Sequence, residues 1–128
     1  MQNYVLDASA LLALLNQEPG SERVAGCIAN GAMISTVNLS EVVAKLSDAG
    51  VPEEVIREAL SVLGIVIVDF DTLLAYGSGL LRPLTRQAGL SLGDRACLAL
   101  ARRFELPAVT TDKAWGTFSS GVVVQLIR

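Results

Sequence analysis

Residues 3–15 read NYVLDASALLALL. A short apolar run of strand length leads into Asp7, then into small Ala8 and Ser9, and from there into leucines at helical spacing. The change from a continuous apolar run to a period of about 3.6 marks a strand passing directly into a helix. The carboxylate at that junction needs a reason, because it stands where a buried strand ends in a hydrophobic chain.

The same grammar repeats along the chain. NYVL (3–6) is expected as a buried strand, with a helix over about 8–16. Pro19 and Gly20 mark a turn, and Ser21 can cap a following helix. AMIS (32–35) reads as a second strand, after which Asn38 opens a helix ended by Gly50. Pro52 suits the first turn of another helix running to about Leu63. GIVIVDF (64–70) is β-branched and almost wholly apolar, the pattern of a parallel strand covered on both faces. A long helix to about Ala88 follows, with Gly89 past its end. Ser91 begins the helix LGDRACLALARRF, and PAVTT (107–111) and GVVVQLI (121–127) are the last strands. Alternation of strand and helix predicts an α/β fold with a mostly parallel sheet of four to five strands, formed by residues 1–128 as one domain.

Composition narrows the chemistry. With 52% apolar and 18% charged residues, the chain is not of the disordered type. No apolar run approaches the roughly 20 residues that cross a bilayer. The N-terminus lacks a basic segment, and Asp7 interrupts its apolar stretch, so no secretory signal is expected and the cytoplasm is the expected compartment. Cys27 and Cys97 lack metal-ligand spacing and fall in apolar helical patterns, so both read as small buried hydrophobes. The chain contains no histidine. That excludes Ser-His-Asp and Cys-His catalysis and histidine metal sites. A net charge of −3 argues against a general polyanion binder, although six of the ten basic residues (Arg82, Arg86, Arg95, Arg102, Arg103, Lys113) fall between positions 82 and 113. They are read either as solvated helix faces or as a basic rim beside an acidic pocket.

Asp7 follows the first strand, and Asp112 follows the fourth. Glu41 is expected in the first turn of the helix after the second strand, and Asp94 in the first turn of the helix before the fourth. In an open parallel sheet the carboxyl ends of the strands and the N-termini of the helices share one edge, where ligands bind. Chain logic brings Asp7, Glu41 and Asp112 to that edge, and Asp94 joins them if its helix starts there. Each has a plainer reading. Asn38-x-x-Glu41 and Ser91-x-x-Asp94 both match a capping box, and Asp7 or Asp112 can cap a helix alone. Four converging carboxylates would repel by roughly several kcal/mol at an effective dielectric near 20. A divalent cation resolves that repulsion, and all-oxygen ligands suit Mg²⁺ or Mn²⁺.

At these residues the chain resembles PIN-domain ribonucleases of the VapC toxin type. The resemblance is carried by VLDASALLALL with Asp7, NLSEVVAKL with Glu41, GLSLGDRACLALA with Asp94, and LPAVTTDKAW with Asp112. It implies a three-layer α/β/α sandwich, a Mg²⁺- or Mn²⁺-dependent endoribonuclease acting on RNA, homodimerisation, and restraint by a VapB-type antitoxin. Thr110 matches a hydroxyl that supports the acidic cluster, and Ser9 lies where small polar residues are usual. An antitoxin arginine pairing with Asp7 or Asp94 would replace the cation. Apolar anchors of the same peptide would lie against partly exposed edges of LLALL and VVAKL.

Other readings compete. Asp69-x-Asp71 after a hydrophobic strand resembles the nucleophile motif of haloacid-dehalogenase-type phosphatases. The usual Gly-Thr after the second Asp is absent, and no acidic pair follows Lys113. The plain alternative has Asp69 ending the strand and Asp71 capping the next helix. A receiver domain with Asp69 as phosphoacceptor needs an acidic pair after the first strand, where only Asp7 stands. A non-catalytic PIN-like interaction module would differ from the enzyme in metal binding and turnover alone.

Overall fold

The computed structural model describes residues 1–118 and 120–128. Its five strands are β1 (Tyr4–Leu6), β2 (Ala32–Ser35), β3 (Val66–Val68), β4 (Ala108–Thr110) and β5 (Val124–Leu126). They form one wholly parallel sheet in the order β3-β2-β1-β4-β5. The helices are α1 (Ala8–Leu15), α2 (Ser21–Ala29), α3 (Thr36–Asp48), α4 (Glu53–Ser61), α5 (Thr72–Leu80), α6 (Arg82–Thr85) and α7 (Leu92–Phe104).

The period-two geometry of a strand divides the core. Val5, Met33 and Ala108 face one way and pack with Leu74 of α5 and with Cys97, Leu98 and Ala101 of α7. Leu6, Ile34 and Val109 face the other way, against residues of α1, α2 and α3, including Leu11, Val24 and Val42. Helices thus cover both faces of the sheet, giving the α/β/α sandwich. Cys27 and Cys97 are free and buried, as their apolar patterns predict. No helix among the described residues is long and apolar enough to cross a membrane.

Three expectations about elements need correcting. The strand GIVIVDF shrinks to Val66–Val68 and lies at the sheet edge, where Val66 and Ile67 are 41% and 52% exposed. Its apolar residues are therefore not covered on both faces. The long helix expected after it breaks into α5 and α6, since Pro83 has no N–H for the carbonyl four residues before it. The helix carrying Glu41 starts at Thr36, two residues before Asn38, because the Ser35 hydroxyl accepts the Val37 N–H and caps it. Glu41 consequently stands in the second turn.

Strand order now fixes where a ligand site forms. The chain steps from β1 outward through β2 to β3, then returns to lay β4 on the opposite flank of β1. The crevice beyond the carboxyl ends of β1 and β4 is the switch point of the sheet. Asp7 follows β1 there, and Thr110 ends β4.

Candidate functional site

Asp7 caps α1. Its backbone is extended, and its Oδ1 accepts the Ala10 N–H at 2.8 Å. The parallel pairing of Leu6 with Val109 brings Thr110 alongside, and the Thr110 hydroxyl donates to Asp7 Oδ2 at 2.6 Å. The Ser9 hydroxyl lies 2.8 and 2.9 Å from the two Asp7 oxygens and shares its single proton between them. Both hydroxyls also accept from the next loop: Ser9 from the Thr111 N–H at 3.1 Å and Thr110 from the Asp112 N–H at 3.1 Å. The network joins the ends of β1 and β4 through side chains, and it fixes the direction of the Asp7 carboxylate.

Asp7 is only 3% exposed. Burial pushes its pKa from 3.8 up to about 6, against the opposing pull of bonds from Thr110, Ala10 and Ser9, and the Asp94 carboxylate adds to the rise. No lysine or arginine among the described residues forms an ion pair with Asp7, Glu41, Asp94 or Asp112. The three ion pairs among the described residues join Arg57 to Glu53, Arg103 to Asp71, and Arg128 to Glu18.

Asp94 sits in the first turn of α7, within a true capping box. The Ser91 hydroxyl accepts the Asp94 N–H at 3.2 Å, and Asp94 Oδ2 accepts the Ser91 N–H at 2.9 Å. Asn38 and Glu41, which share the same spacing, do something else. Asn38 is buried, and its Nδ2 donates to Glu41 Oε1 at 3.0 Å and to the Gly93 carbonyl at 2.9 Å. This bridges α3 to α7. Below, burial raises the Cys97 thiol pKa well above its ordinary value, and the Asp7, Asp94 and Glu41 carboxylates push it the same way. One buried thiol therefore feels three of the four acids.

Asp112 caps a 3-10 turn at Lys113–Gly116, its Oδ1 accepting the Ala114 N–H at 2.9 Å. All four acids line one pocket of about 520 Å³. Glu41 Oε2, Asp94 Oδ1 and Asp112 Oδ2 have no hydrogen-bond donor among the described residues. Even so, no three acidic or thiol side chains among the described residues are drawn to within metal-ligand distance of one another. The acids share a chamber without forming a closed cage. Their donor chemistry, all carboxylate with no nitrogen ligand, fits a hard divalent cation.

Several expectations fall at this point. Arg82, Arg86, Arg95 and Lys113 do not line the pocket; its cations are Lys45, one turn beyond Glu41 on α3, and the C-terminal Arg128. The segment 82–113 winds through α6 and α7, and its arginines point elsewhere: Arg95 donates to the Ser78 carbonyl, and Arg103 pairs with Asp71. Asp71 also caps α5 through the Leu74 N–H at 2.9 Å, and neither it nor Asp69 lines the acidic pocket. The plain capping reading of Asp71 therefore holds. The LLALL edge, by contrast, is open in part as expected: Leu11 and Leu12 are buried in the packing of α1 against α3, while Leu14 and Leu15 are half-buried.

The bridging role of Asn38 and the space at Gly93 escaped the sequence reading. The signal for Gly93 was present in LSLGDRACLALA, where a glycine precedes the acid without any turn to explain it.

Comparison with known proteins bears on the whole chain. The PIN domain family profile matches residues 4–119. No curated protein matches the chain in sequence. Among solved structures, a DNA-bound VapBC from Salmonella typhimurium is 17% identical over 100% of both chains, with a TM-score of 0.77. A toxin–antitoxin complex from Klebsiella pneumoniae is 22% identical over 98% of each chain, with a TM-score of 0.75. VapC20 of Mycobacterium tuberculosis, a toxin that cleaves the sarcin-ricin loop, is 16% identical over 92% of this chain and 98% of its own, with a TM-score of 0.72.

Proposed function

The chain belongs to the PIN domain family, and from that premise we propose that it is a divalent-metal-dependent endoribonuclease acting in the cytoplasm as the toxin of a toxin–antitoxin pair. One observation carries the reading. Five carboxylates line a pocket at the switch point of the sheet, and of these only Glu18 is ion-paired among the described residues, to Arg128; Asp7, Glu41, Asp94 and Asp112 are left without a cationic partner. A fold that only needed helix caps gains nothing from collecting them in one place.

Asp7, Glu41, Asp94 and Asp112 would hold Mg²⁺ or Mn²⁺. When bound, the ion supplies the positive charge that lets an anionic phosphodiester approach the acids, and it polarises the phosphate toward attack by water. The protein's own groups do the rest. Ser9 and Thr110 hold Asp7 in one orientation. The Ser91 cap holds Asp94. Lys45 gives phosphates beside the scissile bond a cationic margin, while Arg128 is held by Glu18 of the same pocket. With no histidine in the chain, protons leave through carboxylates or water.

RNA as substrate is supported by the structural likeness to VapC20. A VapB-type antitoxin is supported by the likeness to VapBC and other toxin–antitoxin complexes. A groove of about 610 Å³ between α3, α4 and β3 offers such a peptide an apolar seat, lined by Leu39, Val43, Ile56, Leu60 and Ile67, with Arg57 and Glu53 at its margin. An arginine from the same peptide would reach the acids and take the place of the cation. A second copy of the chain would pack on α5, where Leu73, Tyr76 and Leu80 are each about 70% exposed or more. Gly79 has no neighbour within 4 Å of where its side chain would begin, so an identical helix can approach closely.

The test is cleavage mapping of total RNA by the purified protein with and without Mg²⁺. Discrete cleavage that needs the ion and disappears in Asp94→Asn is expected. Intact RNA in the presence of Mg²⁺, or equal cutting by Asp94→Asn, defeats the proposal. A PIN-like module without activity would neither cut RNA nor bind Mn²⁺.

A further inference from the structure

Three of the four candidate metal ligands are anchored at the start of a helix or helical turn, where backbone N–H groups need acceptors. Glu41 is not. It stands inside α3 and carries more rotatable bonds than an aspartate, and repulsion from Asp7 and Asp94 favours turning it out to water. Something else must hold it.

We infer that Asn38, acting against Gly93, is the positioning residue that sets the Glu41 carboxylate beside Asp94. Both N–H groups of the Asn38 amide are engaged, one on Glu41 Oε1 at 3.0 Å and one on the Gly93 carbonyl at 2.9 Å. Two acceptors facing the same nitrogen fix the amide orientation, because a flipped amide would set oxygen against oxygen. The Asn38 oxygen has no partner among the described residues, although the side chain is only 1% exposed. A buried carbonyl without a donor is unfavourable, and an apolar side chain of similar size would avoid it. The amide is therefore present for what its nitrogen holds. Gly93 completes the arrangement from the other side. A side chain there would begin 2.6 Å from the Glu41 carboxyl carbon, and Gly93 has no positive φ to require glycine. The glycine is needed for space: the Glu41 carboxylate lies against the first turn of α7, one residue from Asp94. The amide sets its direction, and the missing Cβ gives it room.

The inference rests on the reading of the pocket as a Mg²⁺ or Mn²⁺ site, and Mn²⁺ titration of the whole chain by calorimetry separates the two. Wild type is expected to bind Mn²⁺, and Asp94→Asn to lose most of that affinity. Asn38→Leu keeps the branched shape of the side chain, though its methyl groups are bulkier, and removes the donors. Its metal-free melting temperature should stay close to wild type, while Mn²⁺ affinity falls roughly 10–100-fold, the usual effect of removing an outer-shell partner. RNA turnover should fall in kcat rather than KM. Gly93→Ala should weaken Mn²⁺ to a similar degree, but cause no further loss in a Glu41→Ala background, where the colliding carboxylate is gone. If Asn38→Leu fails to fold, the Gly93 and Glu41 pair still decides the matter. Wild-type Mn²⁺ affinity in both Asn38→Leu and Gly93→Ala, beside a loss in Asp94→Asn, overturns this inference alone. So does a Gly93→Ala loss of equal size with and without Glu41. No Mn²⁺ binding by wild type overturns the inference and the metal-site reading together.

Discussion

Asp7→Asn in metal-free protein probes what the acidic pocket costs the fold. The Asp7 pKa stands at about 6 against an ordinary 3.8, chiefly through burial and secondarily through Asp94. That difference of about 2.2, at about 1.4 kcal/mol per unit, makes the ionised side chain unfavourable in the folded protein by up to roughly 3 kcal/mol. The sign follows from where the proton sits. Between pH 3.8 and 6 the folded protein keeps a proton that the unfolded chain has released, so stability declines as pH rises through that window. Asparagine is a neutral stand-in for the protonated acid. Its oxygen can still cap the Ala10 N–H, and its amide can donate to the Ser9 and Thr110 hydroxyls. At pH 7.5 in a chelator, the variant should therefore be more stable than wild type by about 1–3 kcal/mol, or on the order of 5–10 °C in Tm. At pH 4 the advantage should shrink below about 1 kcal/mol, since wild-type Asp7 is then protonated when folded. Thermal melts by circular dichroism across pH 4–8 measure both limits, and titrations shared by the two proteins cancel in the difference. A variant that melts well below wild type at pH 7.5 refutes the reasoning. It would mean that the carboxylate's charged bonds to Ala10, Ser9 and Thr110 outweigh its burial.

Two further outcomes test neighbouring parts of the argument. Thr110→Val removes the bond that most strongly holds the Asp7 pKa down, so in metal-free protein that pKa should rise further, and the window over which stability declines with rising pH should extend to higher pH in thermal melts. Loss of the hydroxyl should also cost about 1–2 kcal/mol, because the Asp112 N–H loses its acceptor. Val43→Asp places a charge in the groove between α3 and α4 on a residue already 37% exposed. It should abolish co-purification with the antitoxin while leaving RNA cleavage intact, and loss of both would point to a damaged fold.

Strand positions were legible because short apolar, β-branched runs mark them whether or not they end up buried: β2 falls on 32–35 as read, and the other four strands lie inside the predicted runs. What the pattern did not give was strand order. An apolar run looks the same at an edge as at the centre, so GIVIVDF promised a covered strand and became the exposed flank β3. Within the site, the acids were legible through their repeated place after strands and at helix starts. The cations were not, because charge counted along the chain says little about charge in space. Six basic residues between 82 and 113 suggested a rim, whereas the pocket takes Lys45 from α3 and Arg128 from the far end of the chain. Asn38 hid in a spacing that matched a capping box. Only the start of α3 at Thr36 frees its amide to reach across to Gly93.

Capping and ligand binding looked like rival explanations for the acids, and the geometry removes the rivalry. A carboxylate has two oxygens and about four acceptor sites. Asp94 uses Oδ2 on the Ser91 N–H, and Asp112 uses Oδ1 on the Ala114 N–H, while the second oxygen of each has no donor among the described residues. The cap is thus what orients the free oxygen. A backbone N–H at a helix start does not rotate, so a short side chain bonded to it has little freedom left, and a site built this way is rigid before any ligand arrives. Asp7 goes further and is gripped at both oxygens, by Ala10, Ser9 and Thr110, consistent with its depth at the end of β1. Glu41 alone has no helix start to hold it, and the chain supplies a buried amide in its place. The helix N-termini that gather at the carboxyl edge of a parallel sheet therefore do two things at once. They offer the N–H groups that aim the acids, and their positive ends temper the repulsion among them.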